Sequence, residues 1–457
     1  MLLVGGHRTR TCQGVSRREL LQVGACSALG LSALDLLRQA GRAEAAGRVK
    51  SVLLLWLWGG PSHLDTWDPK PAAPAEYRGP FTTIPTRTVG ARVCELFPQI
   101  ANRTNQIAII RSLKTGSNDH GVAGTIGLTG SSSGGVGLNG LPLPGTARPT
   151  VGSAVARVRG FAGQLPPFLV VGGKLHQGKK PIVGEGGGAL GGLYDPFRLI
   201  YDHESGQTQV PALQLPANLT PDRLGDRAKL LRAFDGLSKA ADDLRSARVL
   251  SDYRHQAFAM LTSPAARKAF DLSGERDAVK ERYGLTRFGQ SCLLGRRLVE
   301  AAVPFVQVNW SDHVEAEEDA GDGGWDHHYR NFQIMQDRHA PWLDQAVSAL
   351  LDDLAQRGLL SSTLVIAVGE FGRSPKVNDK AGRDHWEHCF SGLVFGGGVR
   401  GGQVIGASTP RGEHVQDRPV TSADLVTTVQ HVIGVTSEQS QTLGVAIEGG
   451  KVVEGLF

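Results

Sequence analysis

The sequence predicts an α/β protein built on a doubly wound, mostly parallel sheet. Three observations predict it. Short, continuous apolar runs alternate with segments of helical period. The runs lack the polar alternation of half-exposed strands, so both faces of the sheet should be covered. Ionisable residues gather just after the runs, and ligands of open α/β sheets bind beyond the carboxyl ends of the strands.

Each element has its own justification. "VKSVLLLWLW" (49–58) is an apolar run that stops at Gly59–Gly60 and reads as a buried strand. The stretches 105–112, 166–173, 303–310, 362–370 and 391–398 have the same character. The clearest helix is 340–358, with Trp342, Ala346, Ala349, Leu350 and Leu354 on one stripe and Gly358 as its stop. A helix followed by a strand ending in Glu370 is a βαβ-type signature. Residues 221–300 are rich in Arg and Asp, poor in strand signals and helical in pattern. They predict a helical insertion, its alternating charges forming a solvated face. The Gly-rich segments 116–145 and 172–192 predict loops. "GEGGGALGG" (184–192) lacks the strand–helix frame of a nucleotide site.

The chain has 457 residues and a net charge of +5. Residues 1–46 hold six arginines against three acidic residues, which leaves +2 on the rest. So small an excess excludes nucleic acid as the main partner. "SRRELLQVG" (16–24), with Arg17–Arg18, precedes a modestly apolar stretch and a small-residue segment near Ala45–Ala46. This resembles a twin-arginine export signal over 1–46. It predicts a periplasmic or extracellular protein, residues 47–457, with no stable membrane span after cleavage. Beyond the signal, Cys94, Cys292 and Cys389 are an odd, widely spaced set and form no disulfide framework.

Chemistry concentrates at the strand ends. Seven of the 14 histidines lie there: His63, His120, His313, His327, His328, His385 and His388. The segments carrying them are "GGPSHLDTWDPKP", "SNDHG", "SDHVEAEEDAGDGGWDHHYRNF" and "GRDHWEH", with Glu370 ending another strand. Carboxylates and imidazoles together bind Zn²⁺ or Mn²⁺, and two such groups hold two ions that clamp the attacking and leaving oxygens of an ester. The candidate ligands are Asp326 with His327 or His328, then Glu370, Asp384, His385, Asp65 and His63. Adjacent side chains in an extended loop point apart, so one of the histidine pair is expected. His328 shares the side of Asp326, and His327 takes its place if the loop turns at the pair. Structural alternatives stand beside these: His63 capping a turn, Asp65 capping a helix, and Arg373 and Arg383 in salt bridges rather than on a substrate anion.

The stretches "LLLWLWGGPSHLDTWDPKP", "SNDHGVAGTIGLTG", "GGWDHH", "GEFGRSP" and "GRDHWEH" together resemble the domain-of-unknown-function 1501 family, from about Val49 to near the C-terminus. That family is placed in the alkaline-phosphatase-like superfamily, beside sulfatases and cofactor-independent phosphoglycerate mutase. The resemblance implies an alkaline-phosphatase-like fold, two divalent ions (Zn, Mn or Ca) and hydrolysis of small or polymeric phosphate or sulfate esters. It implies that Asp326 with one following histidine serves a metal. Glu370 replaces a family Asp, and Asp384–His385 stands for a displaced Asp-His or for a downstream His ligand. Asp65 or His63 substitutes for a first-strand Asp. Counting back from "LTG" (128–130) sets His120 at the nucleophile position, with Ser117, Ser62 or a metal-activated water as alternatives. Cys-x-Pro-x-Arg is absent, which excludes formylglycine chemistry. The expected function is an exported metal-dependent ester hydrolase. Its rival is a non-catalytic binding protein on a degenerate fold, for anionic polysaccharide.

Overall fold

The computed structural model describes residues 49–160, 165–178, 180–210, 264–315 and 323–457. The expected export signal and residues 211–263 of the expected insertion lie outside them.

Ten strands form the main sheet: β1 (Ser51–Trp56), β2 (Ile107–Lys114), β3 (Phe168–Val171), β4 (Phe197–Asp202), β5 (Gln207–Gln209), β6 (Phe305–Asn309), β7 (Thr363–Val368), β8 (Phe390–Gly396), β9 (Gln403–Ile405) and β10 (Val420–Thr421). Their spatial order is β9-β2-β8-β7-β1-β6-β3-β4-β5, with β10 also pairing with β2. β1 is central and parallel to β6 and β7; β3 and β4 continue the parallel run. β8 is antiparallel to both neighbours, and β5 to β4. The six apolar runs all became strands. β4, β5, β9 and β10 escaped the sequence reading. β5 reads Gln-Thr-Gln, and an edge strand needs no apolar signature because one flank faces water.

Helices α1 (His120–Thr129), α2 (Val151–Arg159), α3 (Pro264–Phe270), α4 (Asp277–Tyr283), α5 (Arg287–Glu300), α6 (Ala340–Gln356) and α7 (Ser422–Val432) cover the sheet. Alternation along β1 explains why both faces need cover. Leu53, Leu55 and Leu57 join one core with Leu294 of α5 and Leu350 of α6. Val52, Leu54 and Trp56 join the other with Leu128 of α1, Val155 of α2 and Val429 of α7. Each fully buried leucine contributes about 1.5–3 kcal/mol of transfer free energy. The sheet is therefore wound on both sides, as the apolar runs demand.

The described part of the segment 221–300 ends on the sheet. Its last helix, α5, is a core helix. A Cβ on Gly295 would stand 3.0 Å from Val308 and 3.2 Å from Leu53, so α5 lies directly on β6 and β1. The fully buried Arg296 then ties α5 to α6 through Asp353, at 2.9 Å. Among the described residues, no helix is long and apolar enough to cross a membrane. Cys94, Cys292 and Cys389 are all free and buried.

Candidate metal centre

Four chain segments meet at the carboxyl end of β1. The first is the strand's own exit, Trp58–Gly59–Gly60. Gly59 has φ +105°, and a Cβ there would lie 2.4 Å from the Trp325 nitrogen and 2.5 Å from that of Asp326. Only glycine lets the second segment, 323–328, come so close. Trp325 N–H donates to the Trp58 carbonyl at 2.8 Å, which fixes Asp326 at the strand end. The third segment leaves β2 and enters α1, whose N-cap Asp119 accepts from Val122 N–H. His120 is the first residue of that helix. The fourth leaves β7 through Gly369–Glu370 and returns in a small hairpin that pairs Arg373 with His385.

These segments aim three imidazoles at one carboxylate. His385 Nε2 lies 3.0 Å and His328 Nε2 3.1 Å from Asp326 Oδ1; His120 Nε2 lies 3.3 Å from Asp326 Oδ2. The Nε2 atoms of His328 and His385 are 2.9 Å apart. Each ring is held by its other nitrogen. His120 Nδ1 faces Glu370 Oε1 at 2.6 Å, His328 Nδ1 faces Asp384 Oδ1 at 2.9 Å, and His385 Nδ1 faces the Asn118 carbonyl at 2.7 Å. Carboxylates and a carbonyl only accept, so all three Nδ1 atoms carry the proton. Were the rings neutral, they would turn three bare Nε2 lone pairs toward Asp326.

Lone pairs so arranged repel unless a cation lies among them. With no metal, protons serve. Burial alone would lower His120, but Asp326 and Glu370 outweigh it and push the ring up to about 9. The hydrogen bond to Asp326 raises His328 against its partial burial. Burial, with Arg373 nearby, lowers His385 to about 4. Asp326 is buried, yet Arg373 and His120 hold it well below the usual carboxylate range.

A divalent ion fits the same donors. Zn–N bonds of about 2.0–2.1 Å set tetrahedral donors about 3.3 Å apart, close to the spacings above. His120 Nε2 is buried and faces only Asp326 Oδ2, at 3.3 Å. The outer acceptors reproduce the carboxylate–histidine–metal pattern that orients ligating rings. Among the described residues, His120, Asp326 and His385 form a group whose ligand atoms all lie within 4.8 Å of one another.

Several sequence-selected residues are elsewhere or act differently. His327 turns away from Asp326: its Nδ1 donates to Asn331 Oδ1 at 3.0 Å and its Nε2 meets His339 Nδ1 at 2.9 Å. It stacks on Trp325, and burial with Arg373 lowers it to about 4. Asp65 is no ligand, because Arg383 takes both its oxygens, at 2.7 and 3.0 Å, and Asn331 donates as well. His63 is fully buried, bonds the Gly412 carbonyl at 2.8 Å and is lowered by burial to about 4. Glu370 and Asp384 hold rings rather than reach the centre themselves. Glu370 also accepts from Gly59 N–H at 3.0 Å.

Arg373 and Arg383 are not free to take a substrate anion, since both are fully buried. Arg373 donates to the Gly59, Gly60 and Arg383 carbonyls and to Asp326 at 2.5 Å. Arg383 donates to Asp65 and to the carbonyls of Ser374, Pro375 and Tyr77. Ser62 is buried and accepts from Asp65 N–H at 3.3 Å, so it is no exposed nucleophile. Ser117 caps a turn by accepting from Asp119 N–H at 3.1 Å. His120, placed at the nucleophile position, has one nitrogen committed to Glu370 and the other aimed at Asp326. The sequence reading missed Asn118, whose contribution is a main-chain carbonyl. It also missed Asn378, which donates to the His328 carbonyl and to Asp384. Only the nearness of Asn118 to His120 in "SNDH" was there to signal it.

No curated protein matches the chain by sequence. Among solved structures it overlaps a sulfatase from Pseudoalteromonas sp. at 13% identity and TM-score 0.41, over 91% of this chain and 77% of that one. It overlaps a lipoteichoic acid synthase from Listeria monocytogenes at 8% identity and TM-score 0.34, over 90% and 75%. An alkaline phosphatase PafA mutant overlaps at 11% identity and TM-score 0.31, over 72% and 64%. Overlaps this loose leave the fold to be read from the sheet itself. Sequence comparison speaks directly: residues 49–450 match the family described as "Protein of unknown function (DUF1501)", and the chain belongs to that family.

Proposed function

We propose that this protein is an exported, metal-dependent hydrolase of phosphate or sulfate esters. One observation carries the metal-dependent half: three imidazole Nε2 atoms, each with its Nδ1 proton pinned by an acceptor, converge on the buried Asp326 carboxylate. A divalent ion bound there would supply Lewis acidity and an activated water at neutral pH. The chain's own residues supply the rest. Glu370, Asp384 and the Asn118 carbonyl fix the tautomer and aim of the three rings. Trp58 and Phe371 wall His120, at ring-centroid distances of 5.4 and 4.7 Å, and keep water from that side. Asp384, 60% exposed and bonded to His328, links the centre to solvent as a proton acceptor. The ester class rests on the motif resemblance, and export on Arg17–Arg18.

The test is turnover by the zinc-loaded chain on a generic aryl phosphate and aryl sulfate, with Asp326→Ala and His385→Ala as controls. Turnover that both substitutions abolish is the expected result. A second reading, a metal-holding binding protein for anionic polysaccharide, is favoured by one specific observation: Ser62, Arg373 and Arg383 are all spent on internal bonds. Metal bound with no turnover of either ester would select it. Replacing Arg17 and Arg18 with Lys should leave precursor in the cytoplasmic fraction; unchanged fractionation would remove the export claim.

A further inference from the structure

We infer that the centre takes a single divalent transition-metal ion, and that the Arg373 guanidinium is the fixed second cation of a site that would otherwise hold two. The inference rests on the metal-binding half of the proposed function and narrows it. Four observations carry it.

First, among the described residues one group of mutually close ligand atoms is present, His120, Asp326 and His385, with His328 beside His385. A second ion needs its own ligands: Asp65 is taken by Arg383 and Asn331, and among the described residues neither Asp65 nor His63 joins a group of three ligand atoms. Second, a cation already stands beside the shared carboxylate. Arg373 Nη2 is 2.5 Å from Asp326 Oδ1, the oxygen that His328 and His385 also approach. Its remaining bonds go to the Gly59, Gly60 and Arg383 carbonyls. Gly59 and Gly60 lie just beyond β1, and the candidates for a first-strand ligand, Asp65 and His63, lie further along the chain. The guanidinium therefore occupies the end of the central strand. A second divalent ion there would meet Coulomb repulsion in a dry setting.

Third, the charges balance one ion. Asp326, Glu370 and Asp384 against Arg373 leave a net −2 around neutral imidazoles. Fourth, the donor type selects the ion. Imidazole-rich sets suit Zn²⁺, Co²⁺, Ni²⁺ and Cu²⁺, whereas Ca²⁺ wants six to eight oxygens. The expectation of two ions, with calcium among them, gives way to one ion of the zinc type.

The experiment titrates the full chain with Co²⁺, read by its visible d–d absorption, and with Zn²⁺, read by metal analysis after desalting. The expected result is saturation at one equivalent, with an intense nitrogen-rich Co²⁺ spectrum that excess Ca²⁺ leaves unchanged. Glu370→Gln should weaken binding 10–100-fold at the same stoichiometry, because it loosens the hold on His120 without removing a ligand. Arg373→Lys, which keeps the positive charge, should still bind one equivalent. Saturation at two equivalents, or displacement by Ca²⁺, would overturn the inference. Ester turnover with two equivalents bound would leave the hydrolase reading standing and sink this one. One equivalent bound without turnover would do the reverse, and no metal bound would sink both.

Discussion

Two histidine clusters meet at the peptide bond between His327 and His328, and they are built on opposite terms. His327 points into an aromatic pocket. Its partner there is His339, which packs edge-on against Trp310 at 5.0 Å and lies against Trp325 at 4.9 Å. No carboxylate bonds either ring. Burial lowers both, His339 well below its ordinary value. His328 points the other way, with Asp384 on one nitrogen and Asp326 at the other. A ring in the first cluster is a neutral packing element with a hydrogen bond; a ring in the second seeks a cation. Residue type does not decide between these roles. What decides is whether the second nitrogen faces a charge or a lone pair in a dry pocket.

The largest effect should follow removal of the carboxylate that defines the second cluster. Asp326→Ala should abolish zinc binding and leave Arg373 as a buried, uncompensated charge. Its cost to stability is about 3–5 kcal/mol, read from urea unfolding of the metal-free protein. A small stability change would mean that Arg373 finds another counter-charge.

His327 and His120 should titrate with opposite sign, while His385, lowered to about 4, sides with His327. His327 and His63 bind a proton near pH 4 when folded and near 6.5 when unfolded. Between those values the unfolded chain holds more protons, so stability falls as pH drops from 6.5 to 4, by about 3 kcal/mol per ring. His120 is raised to about 9. Its contribution is complete below pH 6.5 and is lost as pH rises through 9, again by about 3 kcal/mol in the metal-free protein. Urea midpoints across this range should form a dome. His327→Leu should flatten its acid limb and His120→Ala its alkaline limb; the reverse assignment would break the comparison.

Next come the two neighbours themselves. His327→Leu strips Asn331 and His339 of a buried partner, at a cost of about 2–3 kcal/mol, with zinc binding retained. His328→Ala changes metal-free stability by about 1 kcal/mol or less, since the side chain is 35% exposed. It should weaken zinc binding by more than the 10–100-fold that losing an outer partner costs. The smallest effect belongs to Asp384→Asn: about tenfold in zinc affinity, with stability within about 0.5 kcal/mol, by dialysis and thermal melts. An unchanged affinity would remove Asp384 from the account.

How much of this was legible depends on what carries the information. The six buried strands were plain because a strand covered on both faces must be apolar throughout. The short edge strands β5 and β9 were not, because nothing in their composition separates them from loops, and β4 was hidden by its two charged residues. Asp326, His328 and His385 were visible as polar residues at strand ends. Their division of labour was not: Glu370 and His385 have equal standing as ligands in a sequence, and only distance makes one the holder of a ring. Arg373 stood open between a substrate anion and a salt bridge, because no side-chain motif announces its partners, Asp326 and three main-chain carbonyls. The His327–His339 contact was hidden too. A π-helical turn at Met335–His339 shifts the register ahead of α6 and brings His339 under His327.

The central claim is that one ion belongs among His120, His328, His385 and Asp326, with Arg373 as its fixed companion. A zinc-edge anomalous difference map from zinc-loaded crystals tests it most directly. The account predicts one peak within bonding distance of the three Nε2 atoms and of Asp326, and none beside His327 or at the end of β1. A second peak at Gly59–Gly60, or a peak shared by His327 and His339, would contradict it.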